Sequence, residues 1–215
     1  MPNKPLSDFL PQILPYVPGC IDQLAKDAVR NAAIIFCERS KAYRLELDPM
    51  QVEAGIPDYE FDVPDDTVVH EVLRVALDGT PIDPKSPAQL DIERPGWQTE
   101  TGTPFAYYLK DFRRKLRLVL TPDTAIADGL LIEVALKPSK TALTFEEGFF
   151  NEHFDDVAYG ALANLLAMPG KEWTNTRKAD ENLGRFNTAI GKHNVDAAKG
   201  FANAPLRTVP YYDIG

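Results

Sequence analysis

The chain has 215 residues, of which 44% are hydrophobic and 26% are charged, and its formal net charge is −9. This length and composition are typical of a folded protein with one good core or two small ones, and they exclude a disordered chain. The longest apolar runs, such as Leu130 to Leu136, are far shorter than the roughly 18 residues of a membrane span. We expect no membrane partner and no secretory signal, and the acidic balance argues against a general phosphate-neutralising surface but not against DNA that passes without being held.

Proline residues divide the N-terminal region, where we expect a short amphipathic turn capped by Ser7. Apolar residues then recur every three or four positions and predict a helix from about Ile21 to Arg39. Cys20 and Cys37 are both predicted on this helix, roughly 25 Å apart at about 1.5 Å per residue, which is too far for a disulfide. We therefore expect both to be buried free thiols.

The pattern changes after Tyr43 to short alternating runs separated by proline, glycine and aspartate, which favours an antiparallel sandwich or small barrel. Asp78-Gly79 predicts a tight hairpin because this pair tolerates the positive φ angles of a type I′ turn. The segment Asp83 to Thr103 is rich in turn-forming and polar residues and is expected to be a surface loop. The predicted strands are Tyr43–Val52, Tyr59–Phe61, Thr67–Leu77, Ala106–Leu109, Lys115–Leu120 and Leu130–Lys137.

Two further helices are predicted in the C-terminal third. Thr144-Phe145-Glu146-Glu147 fits a capping box and predicts the start of a helix that ends near Met168-Pro169. The last helix is expected to open at Trp173-Thr174-Asn175 and to end at Pro205. Helices of this length are not stable alone, so their apolar stripes should pack together.

The predicted fold class is therefore α+β, with a three-helix bundle interrupted by an inserted antiparallel β-sandwich or barrel-like module and followed by an extended C-terminal arm. The predicted domains are a discontinuous helical bundle of residues 1–41 and 143–204, a β-rich insert of residues 42–142, and an arm of residues 205–215.

Histidine and carboxylates cluster in sequence in the stretch from Asn151 to Asp156. Glu152 and Asp156 share one helix face, while His153 projects about 100° away, so we interpret this stretch as a solvated helix face. No phosphate loop, nucleophile elbow or paired metal-ligand motif is present in the sequence. We predict no catalytic residue, no metal ligand and no cofactor, and we expect that the chain is not an enzyme.

Basic and aromatic residues are the candidates for contacts with partners. Arg113-Arg114-Lys115-x-Arg117 crosses a predicted turn and strand, and it fits either charge balance on a solvent face or a subunit interface. The tail after Pro205 is either a disordered end or an arm whose tyrosines dock on a partner. The predicted partner-interface residues are Phe201, Leu206, Val209, Tyr211, Tyr212, Arg177 and Arg185.

Several motifs together resemble a known family. They are Leu14-Pro15-Tyr16-Val17-Pro18-Gly19-Cys20, the helix segment Ala32 to Arg39, the strand segment Tyr43 to Pro49, the stretch Tyr159 to Trp173, and Arg185-Phe186. In this order they resemble the head-to-tail adaptor, or neck, proteins of tailed bacteriophages. The resemblance covers the chain from about residue 12 to 202, and its motifs are structural rather than catalytic.

The resemblance implies a structural virion protein that forms a ring, usually of twelve subunits, beneath the portal. Such a ring connects the head to the tail and continues the DNA channel through which the genome is ejected. The implied partners are further copies of the chain, the portal protein, a downstream tail or tail-completion protein, and double-stranded DNA that passes without sequence-specific binding. The implied location is the virion neck, after assembly in the host cytoplasm.

Two alternatives stay open on the sequence. A carbohydrate- or protein-binding β-sandwich module of a baseplate or tail would need an exposed aromatic platform, for which Trp97, Tyr107 and Tyr108 are the candidates. A cell-wall hydrolase would need a catalytic carboxylate, and Glu152 is the residue to test.

Overall fold

The structure, a computed structural model, describes residues 3–198 and is a mixed α+β fold, which confirms the predicted class. None of the helices within this range combines the length and the apolar character that crossing a membrane requires. In chain order the elements are β1 (Asn3–Pro5), α1 (Leu10–Ile13), α2 (Asp22–Ser40), β2 (Arg44–Glu46), β3 (Met50–Val52), β4 (Asp58–Glu60), β5 (Thr67–Leu77), β6 (Thr80–Pro81), β7 (Asp83–Pro84), α3 (Pro87–Glu93), β8 (Ala106–Lys110), β9 (Lys115–Val119), β10 (Ile126–Pro138), β11 (Thr144–Glu146), α4 (Glu147–Leu166) and α5 (Thr176–Ala198).

The described chain divides into two compact units. Residues 3–8 and 43–152 form the first, here called the β unit, and residues 9–42 and 153–198 form the second, here called the helical unit. The division falls inside α4, whose residues 147–152 belong to the β unit.

The β unit contains three sheets. A five-stranded sheet has the order β2-β10-β5-β6, and β3 also pairs with β10. A four-stranded sheet has the order β4-β9-β8-β7, and β1 pairs with β11 in a two-stranded sheet. All pairs of named strands are antiparallel except β7 with β8. The two larger sheets contribute to one apolar core, which includes Leu77, Leu116, Leu118, Leu130 and Ile132.

The predicted strands are found with adjusted bounds, and β5 matches its prediction at both ends. The hairpin at Asp78-Gly79 is confirmed, since both residues have positive φ (47° and 74°) and Leu77 pairs with Thr80. The single strand predicted for Tyr43–Val52 is wrong, because it is interrupted at residues 47–49, where proline supplies no N–H to a ladder.

The surface loop predicted for Asp83 to Thr103 is also wrong in part, because it contains β7 and α3. The Ser86 hydroxyl accepts a hydrogen bond from the Gln89 N–H, and the Gln89 side chain accepts one from the Ser86 N–H. This capping box starts α3, with proline at the first helical position. The segment buries Leu90 and Trp97 in a second small core beside Ala106 and Val119.

The capping box predicted at Thr144 does not form. Residues Thr144 to Glu146 are instead β11, which pairs with β1. The helix begins at Glu147, directly after this strand. The Thr144 hydroxyl donates a hydrogen bond to Asp66 Oδ2 at 2.9 Å rather than capping a helix. A pairing partner 141 residues away in the chain therefore decided the local structure.

The helical unit buries most of the apolar residues on its three long helices, but Ile35 of α2 and Leu183 of α5, which were predicted on the apolar stripes, are exposed. Helix α2 lies within one residue of its prediction and buries Ala25, Ala32 and Phe36. Ser7 is not an N-cap, because it lies inside a short 3₁₀ helix, Leu6–Phe9. Cys20 precedes α2 and is half-buried, so the prediction of two buried helical thiols holds only for Cys37. The predicted end of the last helix, at Pro205, lies outside the described residues.

Candidate functional site

The predicted partner-interface residues fall into two groups. Phe201, Leu206, Val209, Tyr211 and Tyr212 lie outside the described residues. Arg177 and Arg185 are both exposed on α5.

The two arginines are already engaged within the helical unit. Arg177 Nε lies 3.1 Å from Glu181 Oε1, one turn further along the helix. The Arg185 guanidinium lies over the Tyr159 ring, 5.3 Å from its centroid. An exposed pair on one helix contributes only about 0.5 kcal/mol, so these contacts leave both cations available to a neighbour.

The predicted basic cluster at residues 113–117 spans the end of the turn between β8 and β9 and the first residues of β9, and its cations make different contacts. Arg117 in β9 lies 3.4 Å from Asp58, and Lys115 lies 2.8 Å from Glu60. The hydrogen bond between Lys115 and Glu60 raises the pKa of Lys115 and lowers the pKa of Glu60. Arg113 donates to the His70 carbonyl at 2.9 Å, and Arg114 is exposed.

Residues 110–115, here called the Phe112 loop, have an unusual backbone. Asp111, Phe112 and Arg113 are consecutive and all left-handed, with φ of 50°, 56° and 67°. The left-handed region costs a residue with a Cβ about 1 kcal/mol or more. The Phe112 side chain is fully exposed, so its burial does not offset this cost within the chain.

A shallow depression of about 1080 Å³ lies beside the Phe112 loop. Its apolar lining comes from Phe61, Val63, Val68 and Val69, and Val68 is itself exposed. The β unit therefore presents an exposed phenyl ring, an apolar depression and exposed arginines in one place. This is the composition of an interface core with a charged rim.

The helical unit brings together a second group, His153, Asp156 and His193, here called the histidine cluster. His153 and Asp156 are three residues apart on α4, and His193 comes from α5. His193 Nε2 lies 3.0 Å from Asp156 Oδ2, and His153 Nδ1 lies 3.9 Å from the same oxygen. The two imidazole rings meet edge to face with their centroids 4.6 Å apart.

An aromatic ring covers the histidine cluster. Phe36 of α2 lies 4.9 Å from the His153 ring and 5.5 Å from the His193 ring, measured between centroids. The surroundings are therefore apolar on this side, and burial opposes the ionised form of Asp156. The two histidines act in the opposite direction by hydrogen bonding and charge, and the net result is a lowered pKa for Asp156.

The interpretation of residues 151–156 as a solvated helix face is wrong for His153, which is only 3% exposed. The sequence of residues 151–156 does not contain α5, which brings His193 to this side of α4. A signal was present, because Phe186, Ile190 and His193 follow each other at helical spacings of four and three. That spacing places His193 on the apolar stripe of α5.

The residues that a carbohydrate platform would require are not exposed. Trp97 and Tyr107 are each 4% exposed, and Tyr108 packs edge to face against Trp97. The Trp97 indole donates a hydrogen bond to Asp91 at 2.9 Å. These aromatic residues are part of the core of the β unit.

Comparison of the chain with known protein families and with curated proteins gave no match. The resemblance to the adaptor family therefore depends on the motifs quoted from the sequence.

Proposed function

We propose that the protein is a structural subunit of a ring that connects the head of a tailed phage to its tail. The observation that carries this proposal is the Phe112 loop, together with the sequence resemblance over residues 12–202. A non-enzymatic assembly protein needs surfaces that are costly in the isolated chain and favourable in the assembly, and the loop has this property.

The Phe112 loop is best explained as a contact with a neighbouring copy of the chain. The left-handed backbone of this loop is strained, and the phenyl ring that it holds is fully exposed, so burial of the ring does not offset the strain in the monomer. Burying one phenylalanine between subunits contributes about 2–3 kcal/mol, which offsets much of the strain of about 3 kcal/mol or more from the three left-handed residues. Because the chain as a whole is acidic, the exposed Arg113 and Arg114 are attracted to another copy of it.

Net charge supports a role around DNA that must move. Twelve subunits of −9 would carry about a hundred negative charges, a field that repels phosphates wherever it faces the channel. DNA would then pass through the ring without being held. A channel wall that proves net basic would contradict this part of the proposal.

The finer architecture also belongs to this proposal. The three long helices form a bundle interrupted by the β-rich insert, and residues 205–215 form an arm that reaches the portal. The arm residues Leu206, Val209, Tyr211 and Tyr212, with Phe201, Arg177 and Arg185, make the portal contact. A tail or tail-completion protein binds the opposite side of the ring, in the virion neck.

The test is the mass of the assembly by native mass spectrometry, with and without the portal ring of the same phage. We expect that the portal induces a multimer of the chain. Phe112→Ser should prevent it, whereas Ile92→Ser, which removes another highly exposed apolar side chain from α3, should not. Normal assembly of the Phe112→Ser protein would remove the observation on which the proposal depends.

Truncation after Ala204 separates the arm from the ring contact. The truncated chain should remain folded by circular dichroism and should bind the portal more weakly. Unchanged portal binding would refute the role of the arm.

A further inference from the structure

The histidine cluster has a composition that metal ions recognise. Two imidazole nitrogens and a carboxylate oxygen are ordinary ligands of Zn²⁺, which binds nitrogen at about 2.0–2.1 Å and oxygen at about 2.0–2.2 Å. Ligand atoms at such distances in a tetrahedron are about 3.3 Å apart. The separations of 3.0 Å from His193 and 3.9 Å from His153 to Asp156 Oδ2 lie on either side of this value.

The third separation is the one between the two imidazoles. A ring nitrogen of His153 lies within 4.8 Å of one of His193, which is wider than about 3.3 Å, so both rings would have to rotate for an ion to be bound by them together with Asp156. Residues three apart on a helix share a face, which is why α4 can supply both His153 and Asp156. Helix α5 supplies the third ligand from the facing surface.

The surroundings favour a bound ion over a solvated polar group. His153 is 3% exposed, and Phe36 lies against both imidazoles. Polar side chains are costly in such a place unless they are satisfied, and ligation by a cation satisfies all three at once. An apolar shell around a metal site also limits the access of water to it.

We propose that His153, Asp156 and His193 form a zinc site that clips α4 to α5, with the fourth position open to water. The ion would stabilise the helical unit because it binds the folded chain and not the unfolded one. The site does not depend on the connector function, and ring assembly in the presence of a chelator tests that function separately.

The experiment uses full-length protein made without a histidine tag and stripped with a chelator. Zn²⁺ affinity is measured by competition with a chromophoric chelator, and Co²⁺ is added separately to report coordination by its visible absorption. We expect one ion per chain, a tetrahedral Co²⁺ spectrum and a Zn²⁺-dependent rise in Tm. His193→Gln and the nearly isosteric Asp156→Asn should each lower the affinity by at least the roughly 10–100-fold that loss of a residue supporting a metal ligand costs.

The control is His70→Gln, which removes the histidine of β5 and should leave affinity and spectrum unchanged. Circular dichroism checks that each variant is folded, and Asp156→Asn keeps the test valid if His193→Gln does not fold. Equal affinities for the wild type and Asp156→Asn, or an octahedral Co²⁺ spectrum, would overturn the proposal. Loss of binding in His70→Gln alone would overturn it as well.

Discussion

Gly160 of α4 lies so close to Ala32 of α2 that a Cβ placed on Gly160 would be 2.9 Å from the Ala32 Cβ. The same Cβ would be 2.7 Å from the Phe186 ring of α5. The absence of a side chain at residue 160 therefore allows the close approach of three helices of the helical unit.

Gly160→Ala should destabilise the protein. Overpacking costs about 1–3 kcal/mol, which exceeds the gain of about 0.5–1 kcal/mol from alanine in a helix. The Ala32 methyl cannot move without its helix, so relaxation is limited. Gly184→Ala on α5 is the matched control, because no atom beyond its chain neighbours and the adjacent helix backbone lies within 4 Å of its Cβ position. Thermal or urea unfolding should show a loss for the first variant and a small gain for the second; a gain for both would contradict the packing described.

Asp66 organises the connection between β10 and β11. Its carboxylate oxygen Oδ2 accepts hydrogen bonds from the Leu143 N–H, the Thr144 N–H and the Thr144 hydroxyl, at 3.0, 3.1 and 2.9 Å. Asp66→Ala should lower the free energy of unfolding by about 1–3 kcal/mol, because these donors lose their acceptor. Asp65→Ala, at the exposed neighbouring position, should change it by less than about 0.5 kcal/mol. Equal effects in urea unfolding would show that Asp66 is not the organising residue.

Part of the fold could be predicted from the sequence and part could not, depending on whether the deciding contacts are local in the chain. The Asp78-Gly79 hairpin and helix α2 depend on turn chemistry and periodicity within a few residues, and both predictions are confirmed. The segment Thr144–Glu146 became β11 because Asn3–Pro5 pairs with it, which no local pattern contains. Helix α3 was predictable, because Ser86-Pro87-Ala88-Gln89 carries the capping signal that the loop prediction overlooked.

The candidate sites differ in the same way. The basic residues of the Phe112 loop were visible in the sequence, but the left-handed backbone that exposes Phe112 was not. His153 was predicted to be solvent-exposed, and this was wrong because His193, which contacts the same Asp156 carboxylate, lies 40 residues further along the chain. Interface residues after Ala198 stay a prediction.

The Phe112 loop predicts opposite effects on stability and assembly for one substitution. Phe112→Gly removes an exposed ring and relieves the left-handed backbone, so the monomer should keep its free energy of unfolding or gain up to about 1 kcal/mol. Assembly on the portal should nevertheless be lost. Urea unfolding measures the stability and native mass spectrometry measures the assembly. A destabilised monomer would indicate that the Phe112 side chain stabilises the fold of the single chain instead.

The cysteines should differ in reactivity. Partial burial raises the pKa of the Cys20 thiol, and the nearby Asp22 carboxylate adds to this effect. A raised pKa leaves less thiolate at about pH 8, so Cys20 should react with a disulfide reagent more slowly than free cysteine. Cys37 is fully buried and should react only after unfolding. Native Cys20→Ser protein should be unreactive; rapid labelling of Cys37 in it would contradict the burial.

The most direct test of the connector proposal is electron cryomicroscopy of the protein mixed with the portal ring of the same phage. We predict a closed ring of this chain, coaxial with the portal, with Phe112 buried between neighbouring subunits and an acidic channel wall. A chain that stays monomeric beside the portal, or that binds it with Phe112 exposed in every copy, would contradict the account.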